Sequence, residues 1–318
     1  MAIKFDDVLV IGIASSALFY LAEGHEIFET QGRDAYQAYQ REHRDEILEP
    51  GPAFSFIKKL LALNDLSDEK DLVDVVLLSR NSPDTGYRVM KSIKHYGLDV
   101  NRAAFTQGES PFVYHRSFGI DLFLSENDRD VREANSVGCP AGRVFTPTKP
   151  NTAPNDSEMV RLAFDFDGVI GDDSSEQIYK DKGLPAFREY EFSHQNEPVK
   201  DGPLKAFFMA IAHIQKLDRQ RARDDETYER RLRTSIVTAR NSPAEMRVLT
   251  TLEYWGVDVD DAFFLGGIEK GPVLEVLGPD IFFDDQLTHI ESAFEHTLSA
   301  HVIFGVRNDP LLETDGVS

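Results

Sequence analysis

Residues 235–243 of this chain read SIVTARNSP, and residues 75–83 read VVLLSRNSP. Each stretch is a short apolar run that ends in turn residues and is followed by a helical pattern closing on an aromatic residue and a glycine. Further blocks recur in the same order: HYGLDV and YWGVDV, GIDLFLSE and GPDIFFDD, EPGPAFSF and KDGPLKAF. A repeat of this length predicts an internal duplication of one α/β unit. The alternative is two unrelated α/β domains that share only their composition.

Short apolar runs bounded by turn residues alternate with helical patterns through both copies. Parallel sheets with helices on both faces need such uniformly apolar strands, so the pattern predicts strands joined by helical crossovers. The fold class is therefore predicted as α/β, with two Rossmann-like lobes whose parallel sheets carry flanking helices. The predicted strands are Val8–Ile13, Asp74–Leu78, Leu122–Leu124, Arg161–Phe166, Ser235–Thr238, Ile281–Phe283 and His301–Phe304.

Three stretches outside these strands complete the predicted organisation. The segment TPTKPNTAPNDSE is rich in Pro, Thr, Asn and Asp, which is typical of a linker. We divide the chain into three parts: a first lobe at 1–147, a linker at 148–158 and a second domain at 159–318. The charge run at 219–233 predicts a solvated helix or loop. A helix is expected over 244–255, where four apolar side chains recur at helical spacing: Met246, Leu249, Leu252 and Trp255.

The balance of charge limits the partners of the chain. It has 34 Lys and Arg residues against 55 Asp and Glu residues, a formal net charge of −21. A field of this sign repels a phosphate backbone, so no nucleic-acid partner is expected, whereas a few donors and a cation can hold a small phosphorylated metabolite. The single cysteine, Cys139, excludes an intrachain disulfide framework and a cysteine-based zinc cluster.

No membrane association is expected. The longest apolar run, Val8–Leu21, is broken by polar residues and is shorter than the roughly 20 residues that span a bilayer. The first residues, MAIKFDD, carry two acids and lack the basic segment of a secretory signal. We therefore predict a soluble, cytoplasmic protein.

Two aspartates follow the first strand of the second copy. Residues 161–173 read RLAFDFDGVIGDD, so Asp165 and Asp167 stand where the strand ends. Ligands of open parallel sheets bind outside the carboxyl ends of the strands, where both carboxylates could face one crevice. One could attack phosphorus, while the other protonates the leaving oxygen and then takes a proton from water. Such pairs also occur in ordinary surface turns.

Later positions strengthen this interpretation. Thr238 ends the next repeat-matched strand, and Lys270 lies in a glycine-rich loop. Asp284 and Asp285 end a further apolar strand. A hydroxyl and an ammonium group suit phosphoryl oxygens, and an acidic pair opposite the first aspartate suits Mg2+. Taken singly, each position has a structural alternative: an ordinary strand residue for Thr238, a solvated side chain for Lys270 and a helix N-cap for Asp284.

The stretch Asp165–Val169, DFDGV, matches the DxDG[TV] motif of the haloacid dehalogenase-like phosphatases, and the other positions follow in that family's order. The resemblance implies that Asp165 is a nucleophile that forms an aspartyl-phosphate, with Asp167 as general acid/base. It implies that Thr238 and Lys270 bind the phosphoryl group. It also implies that Mg2+ is held by a set of oxygen ligands: Asp165, the Asp167 carbonyl, Asp284 and Asp285.

The interval between the first two motifs is longer than a direct crossover needs. A small cap is therefore expected within about 174–200. Three aromatic residues in this interval are either candidates for stacking on a nucleobase or part of the core of the cap: Phe187, Tyr190 and Phe192.

Longer stretches resemble the cytosolic 5'-nucleotidase I family over nearly the whole chain, among them IGIASSALF at 11–19, EPGPAFSFIKKL at 49–60 and KGPVLEVLGPDIFFDDQLTHIE at 270–291. The resemblance implies a Mg2+-dependent hydrolase of nucleoside 5'-monophosphates, AMP among them. Substrate contacts are expected from Thr238, Ala239, Arg240 and Lys270. Two alternatives remain open: a phosphatase or phosphotransferase of the same fold acting on another small phosphometabolite, and a non-catalytic nucleotide-binding scaffold.

The first copy lacks the catalytic residues. In the alignment of the two copies, Leu78 stands opposite the threonine, and Ser125 and Glu126 stand opposite the later pair of acids. Its first strand ends in IASSA, with no carboxylate for a phospho-enzyme or for Mg2+. We predict a degenerate, non-catalytic lobe that is either a packing or oligomerisation scaffold or a source of substrate contacts from Ser16 and Asn81. A homo-oligomer is left open.

Overall fold

The computed structural model describes residues 8–67, 71–149, 158–305 and 308. The chain forms two compact units, which we call the N-terminal unit (Met1–Val144) and the C-terminal unit (Phe145–Ser318). The segment MAIKFDD and most of the expected linker, residues 150–157, lie outside the described residues.

The sheet of the N-terminal unit is built from β1 (Leu9–Ile13), β2 (Val73–Ser79), β3 (Arg102–Phe105), β4 (Leu122–Ser125) and β5 (Ala141–Phe145). Its α-helices are α1 (Ser15–Leu18), α2 (Ala22–Glu42), α3 (Phe54–Leu61), α4 (Gly86–His95), α5 (His115–Phe118) and α6 (Asp128–Ser136). Short 3-10 helices cover Ala62–Leu66 and Phe112–Tyr114.

The sheet of the C-terminal unit is built from β6 (Val160–Phe164), β7 (Leu232–Thr238), β8 (Asp261–Phe264), β9 (Ile281–Asp284) and β10 (Ser299–Val302). Its helices are α7 (Ser174–Ser193), α8 (Lys205–Asp224), α9 (Glu245–Trp255), α10 (Gly271–Leu277) and α11 (Leu287–Ala293). Across the described ranges of both units, no helix has the length and apolar character needed to cross a membrane.

The strands have the same order in both units. They lie as β3-β2-β1-β4-β5 in the N-terminal unit and as β8-β7-β6-β9-β10 in the C-terminal unit. Each neighbouring pair within a unit is parallel. The predicted α/β class, with parallel strands and flanking helices, is confirmed, whereas the origin of the two units by duplication stays a prediction.

Helices cover both faces of the C-terminal sheet. On one face Phe282 packs in a buried cluster with Leu274 of α10 and Ile290 of α11. On the other face the rings of Phe164 and Phe283 stack with centroids 5.1 Å apart and meet aromatic side chains of α8. Full burial of one such side chain contributes roughly 1.5–3 kcal/mol, so these clusters hold the strand ends in place.

Strands β3, β5 and β8 were not predicted from the sequence pattern. Strands β3 and β8 are the outer strands in the order of their units, and their side chains are half-buried or exposed, so they lack a continuous apolar run. The last predicted strand, 301–304, is displaced, because β10 spans Ser299–Val302. Ser299 and His301 are polar but buried within β10, so the strand begins before the apolar run from which it was predicted.

Helix α9 forms where the sequence predicts a helix, but its buried face differs from the predicted apolar stripe. Leu252 is buried, together with Val248 and Thr251. Met246 and Leu249 are 45% and 44% exposed. Helical spacing alone therefore identified the helix but not the side that covers the sheet.

The 219–233 charge run needs correction, because it is not simply a solvated helix or loop. Arg219 and Arg230 both form ion pairs with Asp260, at 2.9 and 2.6 Å. Arg230 also lies 3.2 Å from Asp218, whose side chain is fully buried. Partly buried arginines thus tie the end of α8 and the loop before β7 to the residues that precede β8.

The repeated EPGP and KDGP blocks have a steric cause. A Cβ atom on Gly51 would lie 2.7 Å from the backbone nitrogen of Phe19. A Cβ atom on Gly202 would lie 2.3 Å from the carbonyl oxygen of Gly171. In both units an isolated antiparallel bridge holds the two chain segments at this crossing, so only glycine fits.

A long helix with a break lies between the first and second strands of both units. Helix α2 is interrupted at Gly32 and helix α7 at Gly183. Beyond the break, α2 reaches the loop after β2, since Tyr36 donates to Asn81 Oδ1 at 3.1 Å. Helix α7 occupies most of the predicted cap interval, 174–200.

Candidate active site

The carboxyl ends of neighbouring strands carry the predicted acids and the threonine. Asp165 directly follows β6, Thr238 is the last residue of β7, and Asp284 is the last residue of β9. Because β6 pairs in parallel with both β7 and β9, these side chains lie at the same edge of the sheet. All are almost fully buried, and buried polar groups require partners.

Lys270 is one of these partners. It stands at the start of α10, where its Nζ lies 2.9 Å from Asp165 Oδ1 and donates to Asp284 Oδ2 at 2.6 Å. The side chain is 1% exposed, which excludes the alternative of a solvated lysine. Although burial opposes it, the two carboxylates raise the pKa of Lys270, so the amine stays a cation. A buried ammonium group at this place can stabilise charge on a phosphoryl oxygen.

Negative charge exceeds positive charge at this strand edge. Asp285 is buried, and neither of its carboxylate oxygens has a hydrogen-bond partner among the residues that the structure describes. Burial, followed by the nearby Asp284 and Asp165, raises the pKa of Asp285 well above its usual range. Burial also raises the pKa of Asp165 to about 7. Neighbouring carboxylates that repel each other, with one of them lacking any donor, are the oxygen ligands that a small, hard cation such as Mg2+ would satisfy.

His289 belongs to this group and was not predicted. One ligand atom each of Asp165, Asp284 and His289 lies within 4.8 Å of the others. His289 Nδ1 is 3.1 Å from Asp284 Oδ2. Although burial opposes it, Lys270 and His289 hold the pKa of Asp284 below its usual value. Since Mg2+ prefers oxygen ligands, His289 suits a role as the partner that orients Asp284.

The glycine of the DFDGV motif makes room for Asp285. Gly168 has a φ of 69°, and a Cβ atom there would lie 2.5 Å from Asp285 Oδ2. The backbone carbonyl of Asp285 is held by His301 Nε2 at 2.9 Å and by Asn308 Nδ2 at 2.8 Å. The acid is thus packed directly against the loop that carries the first two aspartates.

Asp167 belongs to a second ion network. Arg240 donates to both of its carboxylate oxygens at 2.7 Å, in a bidentate pair. Arg240 also donates to Glu191 of α7, which lies 3.0 Å from Arg247 and accepts from the Ser175 hydroxyl at 2.5 Å. Glu191 is fully buried. The network fixes the orientation of Asp167 and connects it to the helix in the predicted cap interval.

Thr238, Ala239 and Arg240 are the predicted substrate contacts that follow β7. Thr238 Oγ1 accepts from the backbone nitrogen of Arg240 at 3.3 Å, and Ala239 is half-buried. The Arg240 side chain is 3% exposed and is held by the two acids of its network. Contact of these residues with a substrate stays a prediction. No motif or spacing in the sequence points to Glu191 or Arg247, because only the folded chain brings them to Asp167.

Ser16 and Asn81 lie in the N-terminal unit. Both line a cavity of about 790 Å³, and all of the residues that line it belong to the N-terminal unit. Their predicted contact with the substrate is therefore not part of the geometry described above and stays a prediction.

Hydrogen bonds correct the alignment of the two copies after β2. The backbone nitrogen of Asn81 donates to Ser79 Oγ at 3.2 Å, as that of Arg240 donates to Thr238 Oγ1 at 3.3 Å. Ser79, and not Leu78, is therefore the counterpart of Thr238. The repeated letters RNSP misled the alignment because the C-terminal unit has one extra residue between the strand end and this block.

The aromatic residues of α7 differ in their surroundings. The Phe187 ring is half-buried and lies 5.9 Å from the guanidinium carbon of Arg240. The Tyr190 ring lies 5.2 Å from that of Arg247, so it packs against the second ion network. Phe192 is 61% exposed. Phe187 is therefore the best placed of the three to meet a ligand near Asp167.

Known proteins resemble this chain along most of its length. Residues 1–309 match the model of a family described as 5'-nucleotidase. The chain is 37% identical over 296 residues to the cytosolic 5'-nucleotidase 1B of Homo sapiens, an alignment that covers 91% of this chain and 48% of that protein. The chain thus spans about half the length of this curated relative, and no solved structure matches it. The resemblance found in the motifs is confirmed: the chain belongs to the 5'-nucleotidase family, with the cytosolic 5'-nucleotidase I proteins as its relatives.

Proposed function

We propose that this protein is a Mg2+-dependent hydrolase of nucleoside 5'-monophosphates, AMP among them, with a haloacid dehalogenase-like mechanism. The observation that carries the proposal is the buried Lys270 between Asp165 and Asp284 at the carboxyl edge of the C-terminal sheet. A lysine and paired carboxylates at this edge suit phosphoryl transfer, in which positioning and electrostatics supply most of the catalysis. Membership of the 5'-nucleotidase family supports the substrate class.

The cation would be held by oxygen ligands at the ends of β6 and β9. Asp285 is the strongest support, since its buried carboxylate has no donor within the described part of the chain. The proposed ligands are Asp165, the carbonyl oxygen of Asp167, Asp284 and Asp285. When bound, Mg2+ would offset the negative charge of the phosphoryl group and of these carboxylates.

Asp165 is the proposed nucleophile. Its carboxylate oxygen attacks phosphorus while the bond from phosphorus to the ester oxygen breaks, which gives an aspartyl-phosphate and the nucleoside. Asp167 gives its proton to the departing ester oxygen. Asp167 then takes a proton from water as that water attacks phosphorus, which releases inorganic phosphate and restores Asp165. Thr238 and Lys270 bind the phosphoryl oxygens throughout.

Arg240 controls the state of Asp167 in this mechanism. Both carboxylate oxygens of Asp167 accept from Arg240, so Asp167 must leave this pair before it can carry a proton to the substrate. The phosphoryl group of the substrate would compete with Asp167 for Arg240, because it offers the same bidentate acceptor geometry to a guanidinium. The predicted contacts of Ala239 and Arg240 with the substrate would form at this step.

The organisation of the chain follows from the same proposal. The N-terminal unit is a non-catalytic copy of the C-terminal unit, derived by internal duplication. Helix α7 is the main part of a cap over the C-terminal site, and Phe187 stacks on the base of the substrate. A cytosolic location is proposed from the name of the curated relative.

Release of inorganic phosphate tests the function directly. The full chain is incubated with Mg2+ and a panel of nucleoside 5'-monophosphates and sugar phosphates, with a parallel series in EDTA. We expect hydrolysis of AMP or another nucleoside monophosphate that is lost in EDTA. Preference for sugar phosphates would favour a phosphatase of another specificity, and no hydrolysis of any ester would favour a nucleotide-binding scaffold.

A further inference from the structure

The N-terminal unit has a cavity of about 790 Å³ at the carboxyl ends of its strands. It is lined by the loops that follow β1, β2 and β4 and by helix α2. By strand order, these loops correspond to those that carry Asp165, Thr238 and Asp284 in the C-terminal unit. The cavity is therefore the N-terminal counterpart of the candidate active site.

The cavity is lined by hydrogen-bond donors and has no acid at the position of the proposed nucleophile, Asp165. The hydroxyl position of Thr238 is kept as Ser79, whose Oγ lies 3.2 Å from Ser15 Oγ. The position of Asp165 is taken by Ala14, and that of Asp167 by Ser16. The loss of these two acids removes the attacking group and the proton donor, and Ser125 replaces Asp284, whereas Glu126 stands at the position of Asp285. Fewer acids at the strand ends repel a phosphoryl dianion less.

The cavity is lined by side chains of both charges. The charged lining residues are three arginines and two acids: Arg33, Arg80, Arg129, Glu126 and Asp130. Arg80 is held by Asp130 at 2.8 Å and by Glu133. Arg33 and Arg129 are exposed, and the charge of Arg129 also acts on Glu133. In a chain with a net charge of −21, exposed guanidinium groups at the mouth of a cavity can attract an anion to this place.

We infer that this cavity binds the phosphoryl group of a small phosphate monoester without a metal ion and does not hydrolyse it. Hydroxyl and amide groups of Ser16, Ser79 and Asn81 would donate to the phosphoryl oxygens, and Arg33 and Arg129 would balance the charge. A cavity of this size is large enough for a ligand as big as a nucleotide. The inference does not depend on hydrolysis in the C-terminal unit.

Calorimetric titration of the full chain in EDTA tests this site, with AMP as the monoester and inorganic phosphate as the second ligand. The test variant is Asn81→Asp, which keeps the acceptor for Tyr36 and adds a negative charge inside the cavity. We expect AMP to bind the unaltered chain in EDTA and its affinity to fall at least about tenfold in this variant, because two like charges lie within contact distance. Arg33→Ala, at an exposed position, should weaken binding in the same direction.

Two controls separate this site from others. Asn196→Asp adds the same charge at an exposed position outside the cavity and should leave AMP affinity in EDTA unchanged. Thr238→Val removes the counterpart hydroxyl in the C-terminal unit, so any AMP binding that this variant weakens belongs to the candidate active site and not to the cavity. The inference is overturned if AMP does not bind in EDTA, or if Thr238→Val abolishes binding while Asn81→Asp and Arg33→Ala do not. Binding of inorganic phosphate alone would overturn the assignment of a monoester.

Discussion

The two units of this chain share a framework but differ in the side chains at their strand ends. Both have the same strand order, the same glycine crossing and a broken helix after the first strand. At the strand ends, Asp165 and Asp284 in the C-terminal unit correspond to Ala14 and Ser125 in the N-terminal unit. The framework is therefore compatible with either set of side chains, and the acids are present for a function rather than for the fold.

The difference extends to the residues that support Asp167. Arg240 and Glu191 correspond to Asn81 and Gln40 in the N-terminal unit. Gln40 and Glu191 each follow a tyrosine whose ring lies 4.1 Å from that of a histidine, which fixes the correspondence. Charged groups are thus replaced together, as expected for a buried network in which one unpaired charge is costly. The Arg240–Glu191 pair accompanies the acid of the candidate active site.

The largest expected effect tests which unit is catalytic. Asp165→Asn should lower the rate of phosphate release from AMP by about 10⁴-fold or more, because it removes the nucleophile. Ala14→Asp, placed in the Asp165→Asn chain, should restore nothing, since the N-terminal unit lacks the lysine and has Ser16 and Ser125 at the positions of Asp167 and Asp284. Steady-state phosphate release measures both, with circular dichroism as the control for folding. Recovery of activity through Ala14→Asp would contradict the assignment of catalysis to the C-terminal unit alone.

Asp167→Asn should have the next largest effect. The loss of a general acid/base lowers kcat by about 10²–10⁴-fold. The loss in the first step should be smaller for a phosphate ester whose leaving group needs no proton, such as p-nitrophenyl phosphate, because that step then proceeds unaided. Release of adenosine from AMP and of nitrophenol from this ester is therefore compared in the first turnover, before hydrolysis of the aspartyl-phosphate limits the rate. An equal loss in the first turnover with both substrates would contradict the assignment of a proton to Asp167.

The acids of β9 and their N-terminal counterpart offer a matched pair of variants. Asp284→Asn should raise the Mg2+ concentration for half-maximal activity by at least about tenfold, because it weakens a ligand and the partner of Lys270. Ser125→Ala, at the corresponding position of the N-terminal unit, should leave that concentration unchanged. Activity is titrated with Mg2+ in both. Equal shifts would show that the acid has no special role.

The smallest expected effect concerns the coupling of Glu191 and Arg240. Glu191→Gln should lower the free energy of unfolding by about 3–5 kcal/mol, because it leaves two buried arginines with one acid. The double variant Glu191→Gln/Arg240→Asn has the residue types of the N-terminal pair, Gln40 and Asn81. Its loss in the free energy of unfolding should be smaller than the sum of the losses in the two single variants, by about 0.5–3 kcal/mol. Urea unfolding of the single and double variants measures this.

The control for this cycle lies on the same helix. Glu189 is exposed, so Glu189→Gln should change the free energy of unfolding by less than about 0.5 kcal/mol. If the effects of Glu191→Gln and Arg240→Asn were additive, the two residues would not form one network with Asp167. The joint replacement in the N-terminal unit would then have another cause.

Sequence reasoning located the acids and Lys270 because each lies next to a strand end or a glycine-rich loop, where local patterns are informative. It missed His289, Glu191 and Arg247, since these residues reach the site only through the packing of α11, α7 and α9. It also placed Leu78 opposite Thr238, because a one-residue difference after the strand is invisible in matching letters. Outer strands with half-exposed side chains, such as β8, carried no apolar run to recognise.

The central claim is that Asp165 becomes phosphorylated during hydrolysis. The Asp167→Asn chain is mixed with Mg2+ and p-nitrophenyl phosphate, because this ester leaves without a proton while hydrolysis of the aspartyl-phosphate is slowed. The sample is quenched with borohydride, which reduces an acyl phosphate to an alcohol, and the peptides are mapped by mass spectrometry. We expect homoserine at position 165 and nowhere in the N-terminal unit. Release of nitrophenol with an unmodified Asp165, or with modification at another residue, would contradict it.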